Sequence, residues 1–84
     1  MNINLARALF EVGDIEGASE AIDAAVEANP DWYQPYALRA ALLAQQGDIA
    51  SAREALRQAL ELAKEPEQRA EIQEQLQNLR QTDS

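Results

Sequence analysis

The chain is 84 residues long, carries a formal net charge of −8, and is 46% apolar. That is enough for one small domain with a modest core, and the absence of cysteine and histidine removes thiol chemistry, disulfides and the usual transition-metal ligands. The acidic balance argues against nucleic acid or an anionic membrane as partner, since both are held by clustered Lys and Arg, and no apolar run approaches the roughly 20 residues of a membrane span.

In chain order, a first helix is expected over 3–12, beginning so close to Met1 that it reads as a start cut into a longer protein. Gly13 follows as a left-handed C-terminal cap, and Asp14 is placed to cap the next helix through its carboxylate. That second helix, 15–29, puts Ile15, Ala18, Ile22, Ala25 and Val26 on one face. Glu16, Glu20, Asp23 and Glu27 form an acidic stripe along it, which is either a solvated face or a surface that steers a basic partner. Through Ala37, Arg7 is the only base.

The break around Pro30 leads to Trp32 and Tyr33, aromatics expected to wedge between helical pairs with a polar tip at the rim. A third helix follows over 33–46, then Gly47 and Asp48, then a fourth helix over 49–64 with Ile49, Ala52, Leu56, Ala59 and Leu60 on one face. Alanine on such faces lets neighbouring helices approach closely. After Pro66 a fifth helix, 66–81, shows a narrow stripe of Ile72, Leu76 and Leu79 on an otherwise polar surface. The final residues, 82–84, are expected to fray.

"GDIEGASEAIDAAVE" from Gly13 and "GDIASAREALRQALE" from Gly47 align without gaps at an offset of 34 residues. Such a period belongs to a repeat, because one helical hairpin cannot bury its apolar face alone. Leu5, Ala6, Leu9, Gly13, Ala18, Ala25 and Pro30 in the first unit resemble the tetratricopeptide repeat pattern. So do Tyr36, Ala40, Leu43, Gly47, Ala52 and Ala59 in the second. The resemblance implies an all-α, right-handed superhelical stack of antiparallel hairpins: repeats at about 2–32 and 33–65, then a capping helix at about 66–81.

Three departures carry consequences. Arg39 stands where the second unit should hold an apolar residue like Leu5, so Leu38 or Leu42 must take up that packing. Lys64 replaces the equivalent of Pro30 and Pro66 comes two residues late, so the fourth helix should run about half a turn longer. Two units fall below the usual three or so for a self-sufficient array, so the capping helix or another chain completes the core.

The resemblance further implies a protein-binding module whose groove shows Ile3, Arg7 and Phe10 from the first helix and Ala37, Leu38, Ala41 and Gln45 from the third. The capping helix would add Gln68, Ile72 and Gln75. Some relatives grip carboxylate tails with Lys, Arg and Asn; the matching places here hold Ile3, Leu38, Gln68 and Ile72, with Arg7 as lone cation, so that chemistry is absent. The apolar line Ile3–Phe10–Leu38–Ile72 is either core beneath the last helix or a partner surface anchored by Phe10. The expected partner is a protein or peptide, or a second copy of the chain through that line or a stack end. No cofactor is expected. Catalysis finds no support either, since no nucleophile has an adjacent base and no Gly-rich phosphate loop is present.

Overall fold

The computed structural model describes residues 3–82, with side chains from 4 to 79. Among them are five α-helices and no strand: α1 (Ile3–Glu11), α2 (Ile15–Ala28), α3 (Gln34–Gln45), α4 (Ile49–Leu62) and α5 (Pro66–Thr82). The Ile3 side chain and, in the expected frayed tail, Asp83 and Ser84 lie outside the described residues; Thr82 is the last residue of α5.

The two hairpin turns are built alike. Gly13 and Gly47 take φ of +89° and +90°, a region where a Cβ would be strained. Each closes the helix before it with a paired motif. Gly13 N–H donates to the Phe10 carbonyl and Asp14 N–H to that of Leu9; Gly47 donates to Ala44 and Asp48 to Leu43. The same aspartates then open the next helix. Asp14 accepts from Gly17 N–H at 3.0 Å and Asp48 from Ser51 N–H at 3.3 Å. Short turns of this kind force α1 against α2 and α3 against α4, and α3 packs on both α2 and α1.

α3 begins at Gln34, one residue later than expected, because Pro35 sits in its first turn, where a fixed φ and a missing N–H cost nothing. Its rotation also answers the question raised by Arg39. Leu42 is buried with Ala6, Ala18 and Ile22 of the first hairpin, and Leu38 packs beside them. Arg39 therefore points to the α2–α3 edge, where it pairs with Asp23 and lies 5.7 Å from the Tyr36 ring centroid.

The expected longer α4 does not form. α4 and α2 both span 14 residues, and Ala63 turns extended at φ −73°, ψ 127°. Glu65 precedes a proline, which disfavours helical backbone there, and Pro66 opens α5 instead. Arg69 of α5 reaches back to the end of α4, donating from Nη1 to the carbonyls of Leu60 (2.9 Å) and Ala63 (3.1 Å). A cation on orphan carbonyls at a helix C-terminus satisfies both the hydrogen bonds and the helix dipole.

The second core cluster gathers Ala40, Ala52, Ala55, Leu56, Ala59, Ala63 and Ile72, with Leu76 and Leu79 of α5 packed on it. Ile22, Leu56 and Ile72 are its and the first cluster's largest fully buried aliphatics, each contributing roughly 1.5–3 kcal/mol. No polar or charged side chain is buried among the described residues.

Candidate functional site

α1, α3 and α5 line one side of the stack and enclose a groove. Its first part, about 210 Å³, is walled by Arg7 of α1, by Tyr33, Gln34, Ala37, Leu38 and Ala41 at and after the start of α3, and by Glu71 and Gln75 of α5. Helix periodicity explains the set: residues 34, 37, 38 and 41 recur on one face of α3, while the opposite side faces α4. Arg7, Gln34, Glu71 and Gln75 make no side-chain hydrogen bond or ion pair with the described residues, so their polar capacity is open to solvent or a ligand. Arg7 in particular is not paired with Glu11, one turn along α1.

A second, almost wholly apolar part of about 180 Å³ adjoins it, sharing Ala41 and Gln75. Ala40 and Ala44 of α3, Leu56 of α4, and Asn78 and Leu79 of α5 complete its lining. The sequence reading missed this pit. The run of alanines at 40, 41 and 44 was its available signal, but only the stand-off of α5 turns small side chains into a depression.

The expected groove residues separate. Arg7, Ala37, Leu38, Ala41 and Gln75 come together in the groove. Ile72 is corrected to core: it is 1% exposed and has no surface to offer. Phe10 is half-buried against the first-hairpin core and lines neither part of the groove, so the continuous apolar line does not form as a surface. Gln45 is exposed, and both it and the half-buried Gln68 lie off the lining of both parts. Tyr33 packs on the second core cluster, which holds no residue of the first hairpin, whereas Trp32 is half-buried and joins neither cluster. Of the acidic stripe, Asp23 is engaged by Arg39, while Glu16, Glu20 and Glu27 are exposed.

Two consecutive helical hairpins with matched turns, stacked through α3 and finished by a single helix, define a helical-hairpin repeat protein. The tetratricopeptide repeat family model matches residues 1–31 and 33–66, and the chain belongs to that family. Comparison with curated proteins gives no match. Repeats of this family mediate protein–protein interaction and are in general not catalytic. None of the described helices is long and apolar enough to cross a membrane.

Proposed function

We propose that this chain is a protein-binding module that holds a peptide or a partner's helix in the groove between α1, α3 and α5. The observation that carries the reading is the set of unspent polar side chains, Arg7, Gln34, Glu71 and Gln75, around the small floor of Ala37 and Ala41. Groups already bonded within the fold would cost desolvation without return, whereas these gain partners on docking. The helices on which they sit are held by two apolar clusters, so little ordering cost falls on this side of the complex. The role is one of binding and not of catalysis, in keeping with a chain that has neither histidine nor cysteine. Its acidity argues against nucleic acid as partner.

The test is a random-peptide display selection on the wild-type chain, repeated on Ala41→Arg, a change at an exposed helical position. Peptides that bind the parent and not the variant support the groove. Peptides that bind both equally sink it.

A second reading, self-association, draws on exposed apolar side chains of α1 and the turn after it. Leu5 is 57% and Val12 78% exposed, with exposed Ala8 between them at helical spacing. Leu5 is the equivalent of Arg39, which in the second unit meets a preceding helix. Sedimentation equilibrium at low and high salt decides: a salt-resistant dimer abolished by Leu5→Glu favours this reading, and a monomer at all concentrations removes it.

A further inference from the structure

We infer that the groove's partner is an extended peptide that inserts one bulky apolar side chain, aromatic or branched, into the alanine-lined pit and places a lysine or arginine two positions away, facing Glu71. This rests on the groove reading above and specifies the chemistry of its ligand.

The repeat itself identifies the occupant. At the 34-residue offset, Ala40, Ala44 and Leu56 of the pit correspond to Ala6, Phe10 and Ile22 of the first hairpin. There Phe10 packs on the first core cluster, to which Ala6 and Ile22 belong. The second hairpin keeps an alanine at the first of these positions and a branched aliphatic at the third, and puts the small Ala44 where Phe10 stands in the first. The pit is therefore a place where this architecture accepts an aromatic side chain. Its volume, about 180 Å³, agrees. An apolar cavity of about 150 Å³ holds a benzene ring, so one phenyl or isobutyl group fills this one.

Charge and spacing orient the rest of the ligand. Glu71 lies one to two turns before Gln75 and Leu79 on α5, about 6–12 Å up the groove from the pit. In extended chain, residues i and i+2 face the same wall and lie about 6.6–6.8 Å apart, so the side chain two positions from the anchor reaches the level of Glu71. Glu71 has no partner among the described residues, and the net charge of −8 draws a cationic ligand from a distance. Arg7, on the opposite wall, is a donor suited to peptide carbonyls.

The experiment titrates the 15N-labelled chain with three capped hexapeptides on a Gly-Ser background. One carries Phe with Lys two positions away, one has Ala in place of Phe, and one has Glu in place of Lys. The Phe/Lys peptide should shift the amides of Ala44, Gln75 and Leu79 saturably. Removing Phe should weaken binding by at least about tenfold. Exchanging Lys for Glu should weaken it by up to about fivefold, a difference that high salt erases. Ala44→Phe, which refills the pit from within as Phe10 does in the first hairpin, should abolish the response to the Phe/Lys peptide. Equal binding of the Phe and Ala peptides, or no saturable shift with the Phe/Lys peptide, overturns the inference. If display-selected peptides still depend on Ala41 in that case, the groove reading stands without the anchor. Shifts confined to α2 and the outer side of α4 would overturn both.

Discussion

The junctions α2–α3 and α4–α5 occupy equivalent places in the stack yet are fastened differently. At the first, five residues (29–33) connect the helices, Pro35 is buried, and Asp23 pairs with Arg39 across the edge. At the second, only three residues (63–65) connect them, and Arg57 and Gln73 stand at the positions equivalent to Asp23 and Arg39, so the ion pair is gone. In exchange Arg69, the equivalent of Pro35, bonds two carbonyls at the end of α4. The difference shows which part of a junction is general. Both bury aliphatic bulk from the incoming helix, Leu42 in one case and Ile72 in the other, while the polar fastening varies. Burial supplies the larger share of the free energy, and the polar contacts tune how the chain enters the next helix.

That ranking can be broken by substitution. Ile72→Ala should cost about 2–5 kcal/mol, because it removes the fully buried aliphatic that joins α5 to the second cluster. Urea unfolding measures it, and a loss no greater than that of an exposed site such as Gln77→Ala would contradict the burial argument. Next come Ala18→Leu and Ala52→Leu, at closely packed positions of matching helices, each expected to cost about 1–3 kcal/mol by overpacking. Thermal melts of both should fall together; a parent-like melt for one alone would mean the two hairpins pack by different rules.

The polar fastenings should show smaller effects. Arg69→Met keeps an apolar stem and removes the donors to Leu60 and Ala63, for an expected loss of about 1 kcal/mol. Hydrogen exchange should localise the change to the last turn of α4 and the first of α5, and a uniform loss of protection would argue against a capping role. Smallest is the Asp23–Arg39 pair, whose side chains are 60% and 30% exposed. A double-mutant cycle should return about 0.2–1 kcal/mol of coupling and less in high salt. Coupling that persisted undiminished at high salt would move this pair into the same rank as the buried contacts.

Much of the architecture was legible because its signals are local. The Gly-Asp steps at 13–14 and 47–48 announce both the end of one helix and the start of the next, since a left-handed residue and a capping carboxylate are each local requirements. The extra half-turn expected of α4 does not form, since Ala63 is extended ahead of Pro66 and Arg69, on another helix, takes the carbonyls of Leu60 and Ala63. The candidate site was legible only in part. Of the residues that the family resemblance implied, Arg7, Leu38 and Ala41 line one depression, but Phe10 and Ile72 are as apolar as any groove residue, and only neighbouring helices decide whether such a side chain is covered.

By itself the sequence determined the helices, their order, the 34-residue period and hence the family, because turn chemistry and helical periodicity act over a few residues. Tertiary structure alone decided the rotation of α3, the burial of Ile72, the reach of Arg69 and the pit at Ala44. Each of these is a property of the space between helices, set by how closely two surfaces approach, and no single helix carries that distance in its own residues.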